Sequence, residues 1–199
     1  MLSRFQLKST YKRDADGQFV NPKNVIDVKQ FGGAGTFIVQ ANILNLQYKL
    51  YEACPTLAKN GLLCNRKLSD QRLCSSCGLA TKNPTDAVIL RLELQDLMDK
   101  ECRQNTTMFT SSAQKYLGRK ASEMRMMEQE GDGEGLARLL DSFIGKKIVA
   151  KIVIKEKDAN WGGEGSSLHK FDWVVTSVFV PTTEEAYAND DGEQQKTEE

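Results

Sequence analysis

The stretch CPTLAKNGLLCNRKLSDQRLCSSCG, residues 54–78, contains four of the five cysteines of this 199-residue chain. The cysteines are separated by nine, nine and two residues, and the last one is followed by glycine. A Cys-x-x-Cys-Gly turn brings two sulfurs together, and two arms of the chain can present four thiolates to one tetrahedral Zn²⁺. Clustered thiols in a chain without a secretory signal are more often metal ligands than disulfides. We therefore predict one structural Zn²⁺ with four ligands: Cys54, Cys64, Cys74 and Cys77.

Two other interpretations of these cysteines remain open at this point. They could be a reduced structural set, or a redox Cys-x-x-Cys motif, which normally lies at the start of a helix that follows a strand. A catalytic zinc site fits less well, because four cysteines leave no open coordination position and neither the HExxH nor the cysteine-histidine deaminase pattern is found. We therefore do not expect an enzyme. The fifth cysteine, Cys102, is expected to be a loop thiol.

The composition is that of one domain with appendages. A chain of 199 residues can enclose a real core. The first residues lack the apolar stretch of a secretory signal, and no run is long enough to cross a bilayer, so we predict an intracellular protein without a membrane or small-molecule partner.

The charges are unevenly placed although the formal net charge is zero. Residues 182–199 carry seven acids against one lysine, which leaves 26 basic and 20 acidic residues elsewhere, a formal +6. Four thiolates bound to one Zn²⁺ would reduce this to about +4. A mildly basic body permits nucleic-acid binding, but it serves solubility or an acidic protein partner equally well.

Strand composition recurs on both sides of the cysteines. The segments are TFIVQANIL (36–44), QYKLY (47–51), AVILRLELQ (87–95), TTMFT (106–110), KKIVAKIVIKEK (146–157) and FDWVVTSVFVP (171–181). Asn45 is the predicted bend between the first two strands. The third segment alternates between an apolar and a mostly polar face, which is typical of a half-buried strand.

Helical spacing is found between the fourth and fifth of these segments. One helix is predicted to start at Ser111 or Ser112 and to reach Met124, and a second follows the glycine-rich break at 130–135. This order fits a mainly β protein with helices, a five-stranded OB-fold barrel of the oligonucleotide/oligosaccharide-binding type, although other α+β sheets fit it too.

The predicted organisation has three parts. These are an N-terminal arm (1–30), an OB-fold domain (31–181) with a zinc ribbon insertion (52–82) and a helical segment (111–145), and an acidic, disordered tail (182–199).

Five motifs resemble the C-terminal DNA-binding domain of the large subunit of replication protein A and its paralogues in telomere and meiotic complexes. They are LYEACP (50–55), CNRKL (64–68), CSSCG (74–78), AVILRLELQD (87–96) and MFTSSAQKYLG (108–118). The resemblance covers about residues 31–181. It implies an OB fold with a zinc ribbon between the first two barrel strands, single-stranded DNA as ligand, and other OB-fold subunits of a heteromeric complex as partners. It also implies a nuclear role in DNA replication, repair or telomere maintenance.

The sequence departs from that family in three places. Residues 55–63 enlarge the first zinc arm, and the tail 182–199 lacks the apolar residues of the family's trimerising helix. Stacking aromatics of the family are replaced around Asp86 and near Thr106, and stacking contributes about 1 to 3 kcal/mol per base. The alternative function is therefore a protein-interaction scaffold of the same fold with weak or no DNA binding.

The candidate nucleic-acid contacts are basic residues and one tryptophan. Four lysines, Lys147, Lys151, Lys155 and Lys157, share one face of the strand 146–157, where they form either a phosphate track or an ordinary solvated face. Trp161, in the glycine-rich loop before the last strand, either stacks on a base or packs back onto the barrel. With basic residues of the ribbon and the third strand, the predicted set is Lys67, Arg91, Lys147, Lys151, Lys155, Trp161 and Lys170.

Overall fold

The computed structural model describes residues 22–57, 61, 63–156 and 171–179. From the N-terminus, the elements are β1 (Lys23–Asn24), α1 (Val25–Phe31), β2 (Gly35–Ala53), β3 (Thr85–Gln95), β4 (Arg103–Met108), α2 (Thr110–Leu117), α3 (Ala121–Gln129), α4 (Gly133–Asp141), β5 (Lys147–Glu156) and β6 (Phe171–Phe179). Within these ranges, every helix is too short or too polar to cross a bilayer.

Five strands close into a barrel around one apolar core. The first half of β2 pairs with β5 and the second half with β3, both antiparallel. β3 pairs with β4 and β5 with β6, and a parallel pairing of β4 with β6 closes the ring. The order β2-β3-β4-β6-β5 and back to β2 confirms the predicted mainly β, five-stranded OB-fold barrel. Four of the five cysteines lie between β2 and β3, in a segment that we call the cysteine insertion (residues 54–84).

The predicted bend at Asn45 is not the end of a strand. β2 runs without interruption over 19 residues, and its register with β3 shifts between Ile43 and Asn45. A bulge of this kind bends a strand and increases its twist while pairing continues on either side. The prediction of two strands was therefore wrong. A polar residue between two apolar segments is found both in bulges and in turns, so the sequence around Asn45 does not distinguish the two.

The helical region also differs from its prediction. Gly118, with φ of 65°, ends α2, so the predicted first helix consists of two helices, α2 and α3. α2 begins at Thr110 and not after Ser111 or Ser112. The hydroxyl of Thr110 bonds both the N–H and the carbonyl of Val88 at 3.2 and 3.1 Å, which replaces strand pairing there and ends β4 earlier than predicted.

Residues 23–31 belong to the body of the molecule and not to a separate arm. β1 pairs with β2, and the side chains of Val25 and Val28 in α1 are 0% and 2% exposed within the core. The predicted boundary at residue 30 is therefore corrected to the N-terminal side of Lys23. Residues 1–21 and the predicted acidic tail, 182–199, lie outside the described residues.

The buried carboxylate of Asp96 attaches α1 to the barrel. Its Oδ2 accepts the N–H of Ile26 at 2.8 Å, and its Oδ1 accepts those of Met98 and Asp99 at 2.8 and 3.0 Å. Burial by itself would raise the pKa of Asp96, but these N–H donors outweigh burial and lower the pKa below its ordinary value. The charged carboxylate therefore stabilises the folded state.

We expect Asp96→Asn to lower the free energy of unfolding at pH 7 by about 1 to 3 kcal/mol, since buried donors lose a charged acceptor. Because the folded-state pKa lies below the unfolded value, about 3.9, the contribution of Asp96 is complete above that pH and is lost as the pH falls. The difference between variant and wild type should therefore shrink at pH 3. Denaturant unfolding at pH 7 and pH 3 measures this difference in the free energy of unfolding. Asp141→Asn is the control, because Asp141 is exposed. An equal loss of stability in Asp96→Asn at the two pH values would contradict an effect of the Asp96 charge.

Candidate metal centre and nucleic-acid interface

The four predicted ligands meet at one point. Their sulfur atoms all lie within 4.8 Å of one another. The Sγ–Sγ distances are 4.0 Å for Cys54 and Cys77, 3.8 Å for Cys64 and Cys74, and 3.5 Å for Cys64 and Cys77. A tetrahedral ion with Zn–S bonds of about 2.3 Å holds its sulfurs about 3.8 Å apart. The cluster therefore fits a four-thiolate metal site.

The first arm of the cysteine insertion is a hairpin that begins at the end of β2. The N–H of Cys64 donates to the carbonyl of Thr56 at 2.8 Å, and the N–H of Asn65 donates to the carbonyl of Cys54 at 3.2 Å. Leu57 pairs with Leu63 further out along the same hairpin. Cys54 and Cys64 are thus held side by side, although nine residues separate them in the sequence.

The second arm is the predicted tight turn. The N–H of Gly78 donates to the carbonyl of Cys74 at 2.8 Å, and Gly78 has a φ of 67°, a conformation that favours glycine. The N–H of Cys77 points to the sulfur of Cys74 at 3.4 Å. Backbone donors directed at sulfur stabilise a thiolate, which is the form that binds a metal.

Hydrogen bonds within the cluster shift the pKa values of two of its thiols in opposite directions. The N–H of Cys77 lowers the pKa of Cys74 to about 7. In contrast, the hydrogen bond with Cys64, together with burial, raises the pKa of Cys77 to about 12. Several adjacent thiolates repel one another, and a divalent cation among them removes that penalty.

Polar contacts attach the cysteine insertion to the barrel. The hydroxyl of Tyr51 donates to the carbonyl of Asn65 at 3.1 Å, and the guanidinium of Arg72 lies 3.3 Å from the carboxylate of Glu52. Tyr51 is itself buried with Ala53 and Ala87. The ends of β2 and β3 are thus tied to the insertion.

A polar groove of about 510 Å³ lies along the outer face of β2, β3 and β4. Its floor is built from side chains that are cross-strand neighbours in two rows, one through Arg91 and one through Glu93. The floor residues are Asn45, Gln47, Arg91, Glu93, Asn105 and Thr107. Arg103 and Lys29 lie in the same groove, as do Phe171 and Asp172 of β6.

The groove is slightly cationic, and two aromatic residues of β6, Phe171 and Trp173, line it. Three basic residues, Lys29, Arg91 and Arg103, face two acids, Glu93 and Asp172. The pair between Arg103 and Glu93 is long, 3.8 Å, and partly exposed, so it neutralises little of the field. This composition suits a polyanionic chain that is bound mainly through its phosphates.

Of the predicted nucleic-acid contacts that the structure describes, only Arg91 lines this groove. None of the β5 lysines lines it. Lys151 lies beside Ile38 of β2 and Ser177 of β6, whereas Lys155 pairs with Asp172, a residue of β6 that does line the groove. Lys67 lies in the cysteine insertion, where it pairs with Ala53. Lys151 lies apart from Arg91 because β5 pairs with the first half of β2 and β3 pairs with the second half.

Two of the predicted contacts, Trp161 and Lys170, lie outside the described residues. The remaining β5 lysines are Lys147 and Lys155, both exposed.

Sequence reasoning missed Lys29 and Arg103. Arg103 was read as part of a loop, although it begins β4. The signal for α1 was present, since Val25 and Val28 have helical spacing and the carboxylate of Asp27 accepts the N–H of Asn24 at 3.0 Å, as in a capping box. That signal indicates a helix, but not which face of the barrel the helix covers.

Residues 36–167 match the family model described as "Replication factor-A C terminal domain". Among solved structures, one described as "Structure and Conformational Change of a Replication Protein A Heterotrimer Bound to ssDNA" matches with a TM-score of 0.62 at 17% identity, over 81% of this chain and 36% of that chain. "Yeast RPA bound to ssDNA" matches with a TM-score of 0.60 at 21% identity, over 85% of this chain and 94% of that chain. This chain thus spans about a third of the length of the first. No curated protein matches the sequence.

Proposed function

Because this chain belongs to the replication factor-A C-terminal domain family, we propose that it is a single-stranded DNA-binding OB-fold module of a replication protein A-like or telomere-associated complex. The observation that carries this proposal is the cationic groove on the outer face of β2, β3 and β4. OB folds bind oligonucleotides on this side of the barrel. Its partners in this proposal are other OB-fold subunits, in the nucleus, as in the heterotrimer that one similar structure contains.

We propose that Cys54, Cys64, Cys74 and Cys77 hold one structural Zn²⁺. The support is the mutual distance of the sulfurs, at most 4.8 Å, and a donor set of four thiolates, which leaves no open coordination position. The chemistry that the ion supplies is structural, because it fixes the two arms of the cysteine insertion against each other. The insertion in turn covers the outer ends of β2 and β3.

The groove proposal predicts a specific effect of Arg91. We expect Arg91→Ala to weaken binding of a labelled oligothymidylate about tenfold at low salt and to flatten the dependence of affinity on salt, because a phosphate contact is lost. Fluorescence anisotropy at two salt concentrations measures both quantities. Lys151→Ala is the matched comparison on β5, and we expect it to change binding much less.

The same titration tests the predicted lysine face. If Lys151→Ala weakened binding and Arg91→Ala did not, the DNA would follow β5, and the proposed groove would be wrong. Lys147 and Lys155 stay predicted contacts on that face until such a measurement is made.

The second candidate function, a protein-interaction scaffold, is favoured by exposed leucines on the cysteine insertion. Leu57 is 66% exposed and Leu79 is 54% exposed. Of the two aromatic residues that line the groove, Trp173 is only 9% exposed, which limits its use for base stacking. Unmeasurable DNA binding of the wild-type protein at low salt would leave this function as the better one.

A further inference from the structure

α1 forms one end of the groove, although it precedes the residues that match the family model, 36–167. Its inner face is anchored in the core by Val25 and Val28. Lys29, in the last turn of the helix, projects on the other side and lines the groove.

The position of α1 is determined by contacts at its beginning. The carboxylate of Asp96 holds the N–H of Ile26 at 2.8 Å, and the side-chain amide of Gln40 in β2 donates to the side-chain oxygen of Asn24 at 3.0 Å. β1 and β2 pair beside these contacts. Since the helix is only seven residues long, contacts at its start also restrict Lys29.

The ammonium group of Lys29 is held in place by a hydrogen bond, but its charge is not neutralised. Its Nζ donates to the backbone carbonyl of Arg103 at 3.1 Å, and a carbonyl is a neutral acceptor that leaves two ammonium protons available. Within the described ranges, no ion pair joins Lys29 to a carboxylate within 4.0 Å. The guanidinium of Arg103 lies in the same part of the groove.

Lys29 and Arg103 are separate from the cation in the middle of the groove. Arg91 lies opposite Thr107, whereas Arg103 lies opposite Gln95, four residues further along β3. Four strand residues separate the two backbone positions by roughly 13 Å. The guanidinium of Arg103 spans part of that distance, since it lies 3.8 Å from the carboxylate of Glu93.

We propose that Lys29 and Arg103 form a phosphate-binding subsite at the α1 end of the groove, which takes a phosphodiester of the bound single strand. The subsite adds a contact from α1, which precedes the matched residues 36–167, to the strand that is bound on the barrel. It rests on the proposed DNA-binding function, because its ligand is the same strand that crosses the face near Arg91.

Lys29→Gln tests the subsite, because glutamine removes the charge and retains a donor for the Arg103 carbonyl. We expect the affinity for a labelled oligothymidylate to fall several-fold, and the slope of log affinity against log salt to decrease by about 0.7, the value of one single-strand phosphate contact. Lys29→Arg should retain the wild-type slope. Lys115→Gln is the matched control, since Lys115 is exposed on α2 and does not line the groove. Thermal unfolding of each variant separates loss of binding from loss of folding.

The outcomes distinguish the two proposals. If the wild-type protein binds DNA and the Lys29→Gln variant binds it with the same affinity and the same salt dependence, the subsite proposal is wrong. The groove function would then remain intact. Absence of binding by the wild-type protein at low salt would overturn the proposed function and the subsite with it.

Discussion

Cys74→Ser is expected to release the metal and to unfold the cysteine insertion, while the barrel stays folded. Structural zinc contributes an apparent binding free energy of about 10 to 16 kcal/mol in zinc-finger peptides, and the loss of one thiolate ligand weakens that binding. The barrel has its own apolar core, to which each of the strands β2 to β6 contributes residues. In the cysteine insertion, Cys54, Leu68 and Cys74 form a separate small cluster. The insertion therefore depends on the ion far more than the barrel does.

Elemental analysis measures the metal, and backbone hydrogen exchange in residues 54–84 measures the local unfolding. Treatment of the wild-type protein with a strong chelator should reproduce both effects. Cys102→Ser is the matched control, since Cys102 packs at the edge of the barrel core and is not among the four clustered sulfurs. Metal-free protein with unchanged exchange protection in the insertion would contradict the zinc proposal.

Met124→Ala is expected to have the largest effect on the barrel, a loss of about 2 to 5 kcal/mol in the free energy of unfolding. Met124, on α3, is 0% exposed and packs in the barrel core together with Leu136 of α4. Removing its side chain leaves a cavity that the surrounding strands, which are paired on both sides, cannot easily close.

Met126→Ala is the matched control, because Met126 lies two residues further along the same helix and is 55% exposed. We expect it to change stability by less than about 0.5 kcal/mol. Denaturant unfolding of the two variants and the wild-type protein measures the difference. Equal effects of the two substitutions would mean that α3 does not pack on the barrel through Met124.

Local patterns predicted the parts of the molecule that depend on neighbouring residues. The alternation in residues 87–95 predicted β3 closely, because one face of that strand packs in the core and the other faces the solvent. The bulge in β2 was not predicted, since a strand that bends and continues needs partners on both edges. Those partners come from distant parts of the chain.

The candidate sites divide in the same way. The sequence by itself identified the four cysteines whose sulfurs cluster, because a Cys-x-x-Cys-Gly turn brings two sulfurs together locally and its spacing can be read directly. Only the tertiary structure decided which basic residues share a groove. Barrel closure left the β5 lysines outside the groove that Arg91 lines, and the packing of α1 brought Lys29 to that groove. Charges act through space, and their arrangement depends on strand pairing between residues far apart in sequence.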